Sequence, residues 1–412
     1  MASSFPRRSD VRTHASVLCV CLALIVAVNF SKPGLLDWSG QLKGADFLQF
    51  YVAGSMALRG DAGALHDPAA FKELGVRLVP ESSSVYYLPV YGPQVSLLFA
   101  PLALLPYGWA LLIWMLISIA IYGVCCWAVW TTCRHLRDEG PLIALLAAAF
   151  PAVFNLITHG QNSAIALACL TGAFFALRQN RHFLAGLAIG TLIYKPQLGI
   201  VLGCVFVASL EWRVVMGALC GAALQLGTAW MHYGTPAMRA YYQWMLGIGD
   251  INHLLEPKPY QMHSLLSFWK LLVPNLQIAV GLYILCACVV LFASWRVWRT
   301  QAPLSLRYSF LLFATVLVSP HLFVYDLVIL APALLMVGDW AMGHQDDARA
   351  KRVQQLLYYS YALPLAGAVA QFTRIQASVI AMSALSWVLA SIAFRSQETP
   401  LATSQVDRCE PV

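Results

Sequence analysis

The stretch YGWALLIWMLISIAIYGVCCWAVWTT, residues 107–132, decides the fold class because it contains no charged side chain. A helix of about 20 consecutive apolar residues is long enough to cross the hydrocarbon core of a bilayer. Comparable apolar runs recur to the end of the chain, at 141–157, 161–177, 214–231, 276–295, 321–339, 353–371 and 376–394. The sequence therefore predicts an all-α polytopic membrane protein.

Three weaker segments complete the predicted bundle. The run 15–30 follows N-terminal arginines and is predicted to be a first transmembrane helix rather than a cleaved signal. The run 183–210 is interrupted by Lys195-Pro196 and is predicted to form two short helices, while 308–319 is short. Together with the clear runs, these segments predict about twelve spans.

Composition favours one membrane domain. Hydrophobic residues make up 59% of the chain and charged residues 11%, against about 25% charged in soluble domains. We predict a single transmembrane domain, residues 1–395, and a short cytoplasmic tail, 396–412. The net charge of +7 is attributed to cytoplasmic Lys and Arg, so no nucleic-acid partner is predicted. The eleven cysteines show no disulfide framework or metal spacing, and we predict no metal and no cofactor.

Basic residues in the short loops predict the orientation. They concentrate in alternate loops, which face the cytoplasm by the positive-inside rule. These residues are Arg134, Arg137, Arg178, Arg181, Arg213, Arg296, Arg299, Arg307, Arg349, Lys351 and Arg352. The other connections, including the long loops 32–91 and 232–263, then face outward with nearly all the chemically reactive side chains. We therefore predict a bacterial inner-membrane protein whose active site faces the periplasm.

Asp46 is the first candidate for chemistry, on the first outer loop. The segment FLQFYVAGSMALRG follows it and ends at Gly60, which predicts a helix with a glycine C-cap. A second short helix is predicted at Pro68–Leu78, and both helices are expected at the membrane interface. Asp46 can cap the first helix through its side chain. It can also serve as a rigidly held general base, and the two roles are compatible.

Three other outer connections carry polar residues. Gln161 and Asn162 join two spans almost without a loop, as a tight turn or as part of a cavity. Lys195 either extends to the headgroups or pairs with an anion such as phosphate. His321 and Tyr325 are four residues apart and are expected on one helix face.

Acidic and mixed polar residues complete the candidates. Asp326 is an intramembrane acid, which favours function over structure. The loop 232–263 adds His232, Asp250, His253, Glu256, Lys258 and His263, a mixture typical of a solvated outer face.

Taken together, the ordered motifs resemble glycosyltransferase family 87, multispanning enzymes with the GT-C architecture. The matching pieces are Asp46-Phe47 with Tyr51 and Ala53; LLFAPLALLP before Trp114; Gly160-Gln161-Asn162; Gly186 and Gly190 before Lys195-Pro196; and Ser319-Pro320-His321 followed by Tyr325-Asp326-Leu327. They extend over residues 44–340. One departure is Tyr91-Gly92-Pro93, where relatives often have a tyrosine near two adjacent prolines, and it affects the expected shape of that loop.

The resemblance implies a polyprenyl-phosphate sugar donor, typically carrying mannose, and a glycan or glycolipid acceptor, with membrane lipid around the helices. It also implies that Asp46 is the catalytic base of an inverting displacement. The residues expected to bind substrate are His321, Lys195, Gln161, Asn162, Tyr51, Tyr325 and Asp326. Among these, His321 and Lys195 are the candidates for stabilising the departing phosphate.

Two other classes of protein remain as alternatives. A lipid or sugar transporter or flippase usually shows internal repeats and matched broken helices, with charges near the bilayer midplane. Here one segment is broken by proline and the charges lie toward the outer side. A non-catalytic assembly subunit would leave the polar outer loops without a role.

Overall fold

The computed structural model of the protein describes residues 8–61, 63–247 and 258–398. Within these ranges the secondary structure is helical and contains no β-strand. Two isolated bridges, Leu36–Leu42 and Met262–Phe323, pair short loop segments. The all-α prediction is therefore confirmed for the described residues.

The α-helices occur in the following chain order. They are α1 (Arg8–Ser31), α2 (Phe47–Arg59), α3 (Pro68–Leu78), α4 (Pro93–Phe99), α5 (Tyr107–Trp130), α6 (Gly140–Ala148), α7 (Pro151–His159), α8 (Ser163–Arg178), α9 (His182–Gly190), α10 (Pro196–Ala208), α11 (Trp212–Leu246), α12 (Leu265–Leu272), α13 (Leu276–Trp298), α14 (Leu304–Val318), α15 (Ala331–Gly343), α16 (Ala348–Ala362), α17 (Gly367–Thr373) and α18 (Ala377–Glu398). A 3-10 helix, Val324–Leu330, leads directly into α15.

Six helical segments of the described chain are long and apolar enough to cross a membrane. They are Arg8–Ser31, Tyr107–Trp130, Trp212–Leu246, Leu276–Trp298, Val324–Gly343 and Ala377–Arg395. A seventh arises if the bent pair Arg137–Ala148 and Pro151–His159 forms one span. Other apolar helices, such as α8 and α10, are shorter. The structure thus has the helices of a multi-pass membrane protein, but the predicted total of about twelve spans is not confirmed.

Prolines explain several differences from the predicted spans. The run 141–157 is divided before Pro151, and its two halves meet at 46°. The run 353–371 is divided by a 3-10 turn that contains Pro364. The break at Lys195-Pro196 is confirmed, since a 3-10 turn ends at Tyr194 and α10 begins at Pro196. Proline has no amide hydrogen and cannot donate the hydrogen bond that a continuous helix requires at its position. A break at proline therefore loses no hydrogen bond beyond the one that proline cannot make.

Close packing of two glycine pairs joins α9 to α11. A Cβ atom at Gly186 or Gly190 would collide with a backbone carbonyl of α11, and one at Gly217 or Gly221 would collide with a carbonyl of α9. Spacing of four residues places each pair on one helix face. The two backbones can therefore approach as in membrane helix pairs with small residues at the interface. This contact holds the C-terminal end of α9 and the turn that leads to Lys195.

The first predicted outer loop contains both expected helices, α2 and α3. Gly60 ends α2 with a φ of 72°, as expected for a glycine C-cap. However, ten of the thirteen residues of α2 are buried, so the helix packs inside the bundle more completely than an interfacial helix with one exposed face. Asp46 precedes it and is thereby held against the helices around it.

The second predicted outer loop, 232–263, differs from a simple loop. Residues 232–246 belong to α11, whose backbone leaves the helical conformation at Gly234, with φ 75° and ψ 178°. The predicted surface residues Asp250, His253 and Glu256 lie outside the described residues. His263 is fully buried rather than solvated.

Candidate active site

The Asp46 side chain faces the interior of the bundle instead of capping α2. Asp46 makes no side-chain cap hydrogen bond. Its Oδ1 accepts a hydrogen bond from Tyr87 Oη at 2.8 Å, and its Oδ2 accepts one from Gln161 Nε2 at 2.8 Å. The first amides of the helix are bonded to Gly44 and Ala45 carbonyls. The prediction that the Asp46 side chain caps the helix is therefore wrong, and the carboxylate is available for another role.

The Gly160-Gln161-Asn162 turn brings Gln161 to this carboxylate. Gly160 ends α7 with a φ of 67°, and a Cβ there would lie 2.7 Å from the Phe47 Cβ. Glycine is required by both the conformation and the space. Trp114 Nε1 donates to the Gly160 and Gln161 carbonyls at 3.1 and 3.2 Å. The turn is thus fixed against the start of α2 by close packing and by the indole.

Both ends of the Gln161 amide are occupied by protein groups. Its Oε1 accepts the Asn162 backbone N–H at 3.3 Å while its Nε2 holds Asp46. This geometry makes Gln161 a positioning group for Asp46. The Asn162 side chain is fully buried and interacts with the Tyr91 hydroxyl. Asn162 therefore links the turn to Tyr91 inside the site.

Tyr87 was not among the residues selected from the sequence. It lies in the non-helical segment 85–90, where neighbouring side chains alternate in direction. Tyr86 is 53% exposed, whereas Tyr87 turns inward to Asp46. Burial first, and then the Asp46 charge, raise the pKa of the Tyr87 phenol well above its usual value. The alternation of an apolar-rich extended segment was the only sequence signal for this inward tyrosine.

Lys195 and Asp326 form a second polar group in the site. Lys195 Nζ lies 2.7 Å from Asp326 Oδ1 and donates to Ser163 Oγ at 2.9 Å, and that hydroxyl donates to Asp326 Oδ1 at 2.6 Å. The ammonium also lies 5.4 Å from the centroid of the Tyr325 ring. Lys195 is only 4% exposed, so it does not extend to the headgroups. Its anionic partner in the structure is Asp326.

The loop before Asp326 is shaped by the same carboxylate. Asp326 Oδ2 accepts the Phe323 backbone N–H at 3.2 Å at the start of the 3-10 helix Val324–Leu330. His321 lies before this helix, with its ring 5.0 Å from the Phe323 ring. The prediction that His321 and Tyr325 share one helix face is therefore wrong. Asp326 bonds the Phe323 amide, and the 3-10 helix begins only at Val324, three residues after His321.

The two remaining predicted residues, Tyr51 and Tyr325, differ in their contacts with the site. Tyr51 is buried, and its hydroxyl donates to the Leu105 carbonyl at 2.8 Å, so it belongs to neither carboxylate network. Tyr325 stacks on Phe323 with centroids 5.4 Å apart and lies under the Lys195 ammonium. Of these two tyrosines, the structure brings only Tyr325 to the site.

Tyr91 connects the two polar groups electrostatically. Burial, then the Asp326 charge, then the Asp46 charge raise the pKa of the Tyr91 phenol well above its usual value. Both carboxylates are therefore close enough to act on one phenol. Gln161 and Ser163, each bonded to one carboxylate, are separated by Asn162 alone. The turn 160–163 is the element that assembles the site.

A cavity of about 210 Å³ lies beside the site. Its walls include His159, Tyr260, Gln261, Phe323 and Tyr325. Aromatic faces with amide and imidazole groups are suited to a polar ring such as a sugar, because such ligands present both apolar faces and hydroxyls. Tyr325 forms the wall that this cavity shares with the Lys195 and Asp326 pair.

Acidic and metal-binding side chains do not gather into a metal site in the part of the chain that the structure describes. No group of three or more His, Cys, Asp or Glu residues there could hold a metal ion.

Comparison with known proteins gives two matches. The model of glycosyltransferase family 87 matches residues 90–320. The polyprenol-phosphate-mannose-dependent alpha-(1-2)-phosphatidylinositol pentamannoside mannosyltransferase of Mycolicibacterium smegmatis is 30% identical over 218 residues. That match covers 50% of this chain and 48% of the relative, about half the relative's length. No solved structure matches the chain significantly. Since the family model covers more than half of the sequence, the chain belongs to glycosyltransferase family 87.

Proposed function

We propose that the protein transfers a hexose, namely mannose, from a polyprenyl-phosphate carrier to an acceptor hydroxyl. The observation that carries this proposal is the Asp46 carboxylate, which is free of helix capping and held by Tyr87 and Gln161. Family membership supports the reaction class. The name of the mycobacterial relative supports the donor.

Asp46 acts in this proposal as the general base of a single displacement. The acceptor oxygen forms a bond to the anomeric carbon while the bond from that carbon to the phosphate oxygen breaks. The acceptor proton passes to Asp46, and polyprenyl phosphate leaves with the bonding electrons. Attack opposite the leaving group inverts the anomeric configuration. A general base of this kind contributes about 10²–10⁴-fold in rate.

The departing phosphate needs positive charge or hydrogen-bond donors. His321 is half-buried in the loop beside Phe323 and is the first candidate. Lys195 is a second candidate, but its ammonium already pairs with Asp326. It can serve a phosphate only by sharing its charge with that carboxylate. We therefore assign direct contact with the donor phosphate to His321. Lys195 contributes positive charge to the electrostatic potential of the site.

The proposal places this chemistry in a GT-C bundle of about twelve transmembrane helices. The supporting features are the six long apolar helices and the shorter ones between them. The basic loops support an inner-membrane orientation with Asp46 on the periplasmic side. The prenyl chain then remains in lipid against the helices. A glycan or glycolipid supplies the acceptor hydroxyl.

A labelled-donor assay tests the function directly. Purified protein in detergent is given polyprenyl-phosphate mannose with an alkyl mannoside as acceptor probe, and the release of free polyprenyl phosphate and the elongated mannoside are measured. We expect both products in equal amounts. Polyprenyl-phosphate glucose is the matched donor control. Binding of the donor without conversion would contradict the proposal and favour a transporter.

The same assay tests the role of His321. His321→Ala is expected to raise the KM for the donor while the protein elutes as the wild type does. The matched control is His344→Ala, because His344 is exposed and its imidazole hydrogen-bonds and stacks with Trp340 on its own helix end. If the His321 variant has the wild-type KM for the donor, His321 does not bind the donor. The assignment of Asp46 as general base would be unaffected.

A further inference from the structure

The candidate base has a hydrogen-bond donor that neither the motifs nor the family match assigns. Tyr87 Oη donates to Asp46 Oδ1 at 2.8 Å, on the side opposite to the Gln161 amide. We infer that Tyr87 is a positioning residue that orients the Asp46 carboxylate together with Gln161 for the incoming acceptor hydroxyl. The inference rests on the proposed role of Asp46 as general base.

Two donors fix the carboxylate plane. Each oxygen of an ionised carboxylate can accept about two hydrogen bonds, so one protein donor on each oxygen leaves one position on each oxygen for an acceptor hydroxyl. Rotation of the carboxylate would break both the Tyr87 and the Gln161 bonds at once. The remaining lone pairs of Asp46 therefore point in defined directions, which is the requirement for proton transfer in a fixed geometry.

The donor group of Tyr87 keeps its proton throughout the neutral range. Burial, and next the Asp46 charge, raise the pKa of this phenol well above its usual value. The phenol therefore remains a hydrogen-bond donor to Asp46. A Phe at the same place would remove this donor and leave the Gln161 amide to orient the carboxylate.

The neighbouring tyrosine provides a matched control. Tyr86 is 53% exposed, and its ring lies 5.6 Å from the Lys72 ammonium. It belongs to the same non-helical segment but points away from Asp46. Tyr86→Phe therefore removes the same hydroxyl group as Tyr87→Phe, but at a position that does not contact the Asp46 carboxylate.

The test compares Tyr87→Phe and Tyr86→Phe in the labelled-donor assay. For Tyr87→Phe we expect a kcat about tenfold lower with donor KM nearly unchanged, because a hydrogen bond to a charged group is worth about that much. Tyr86→Phe should match the wild type in both constants. A purely structural role of Tyr87 would lower the yield or Tm while the folded protein kept the wild-type kcat.

A second variant decides the case if Tyr87→Phe does not fold. Incorporation of 3-fluorotyrosine at position 87 keeps the shape and strengthens the donor, so kcat should change while the donor KM stays at the wild-type value. An unchanged kcat in the variants that fold would overturn the inference. If Asp46→Asn is inactive while the Tyr87 variants are normal, only the role of Tyr87 is lost. If Asp46→Asn is active, the proposed base and the inference fail together.

Discussion

Lys195 Nζ lies 2.7 Å from Asp326 Oδ1, and only 4% of either side chain is exposed. Ser163 Oγ bridges the pair, accepting from the ammonium and donating to the carboxylate. The pair joins the break between two short helices to the start of another span. A buried charge is tolerated when its partner and its hydrogen bonds are present. The fold and the site therefore depend on the same two residues.

Removal of one partner of this pair should destabilise the protein strongly. Lys195→Met leaves a buried carboxylate without its counterion, and Asp326→Leu leaves the ammonium alone, each at a cost of about 3–5 kcal/mol. The double variant removes both charges and should recover much of that loss. Thermal unfolding in detergent measures the three variants against the wild type. Additive effects in the double variant would show that the two charges do not interact.

The contact between α9 and α11 predicts a contrast between two glycines. Gly190→Ala places a Cβ against the Ala218 carbonyl, and overpacking of this kind costs about 1–3 kcal/mol. Gly172→Ala meets nothing within 4 Å and should be neutral or stabilising by up to about 1 kcal/mol. The measurement is the Tm of each purified variant. Equal Tm values would mean that the two helices are not closely packed.

The sequence predicted the fold class better than it predicted the contacts of the candidate site residues. Apolar length identified membrane helices, since a bilayer sets that length directly. Charge pairing depends on which helices are neighbours in space, so Lys195 was predicted to meet lipid headgroups or phosphate, and its partner Asp326 was not foreseen. The position of Asp46 before α2 suggested a cap. The preceding turn already bonds the first amides of α2, which local sequence could not show.

Two local differences between the sequence prediction and the structure concern Tyr87 and His321. Tyr87 was not predicted as a site residue because an inward tyrosine in a non-helical segment has no sequence motif of its own. The helix predicted from His321 begins instead at Val324, where Asp326 bonds the amide of the N-cap residue Phe323. Both outcomes depend on tertiary partners, whereas the predicted positions of Gln161 and Asp326 near the site needed only their place at the span ends.

His263 predicts a loss of stability in acid. Burial lowers the pKa of its imidazole to about 3, below the value of about 6.5 in an exposed histidine. The unfolded chain therefore binds the proton more tightly. Its contribution to stability is complete above about pH 6.5 and falls by roughly 1.4 kcal/mol per pH unit as the pH drops toward 3. Tm values at pH 7.5 and 5 measure this effect.

A matched pair of histidine variants isolates this contribution. His263→Gln should flatten the dependence of Tm on pH, while His344→Gln should leave it as in the wild type because His344 is exposed. The Gln side chain can still bond Ser378, whose hydroxyl lies 2.7 Å from His263 Nδ1. An equally steep loss in both variants would assign the acid sensitivity to other groups.

Single cysteines test the predicted orientation. Asp61→Cys, in a background without the native cysteines, should react in intact cells with a thiol reagent that does not cross membranes. Arg137→Cys should react only after lysis. Both residues are exposed, so accessibility within the protein does not limit either reaction. The reverse pattern would place Asp46 on the cytoplasmic side and contradict the proposed periplasmic site.

Asp46 and Asp67 precede successive helices, yet only one of them caps its helix. Asp67 accepts the Ala69 and Ala70 amides at 2.9 and 3.4 Å, while Asp46 makes no cap bond. Asparagine caps nearly as well as aspartate, so Asp67→Asn should retain both stability and sugar transfer. Asp46→Asn should remain folded but fall by about 10²–10⁴-fold in rate, because its amide cannot accept the proton.

The alanine variants should show the opposite division between the two positions. Asp67→Ala loses its cap and should cost about 1 kcal/mol in stability with transfer preserved. Asp46 makes no cap hydrogen bond, so Asp46→Ala should abolish transfer without the loss of stability that follows from losing a helix cap. Tm and initial transfer rate, measured on the same four preparations, separate capping from catalysis. Normal transfer by a folded Asp46→Asn protein would end the assignment of Asp46 as the base.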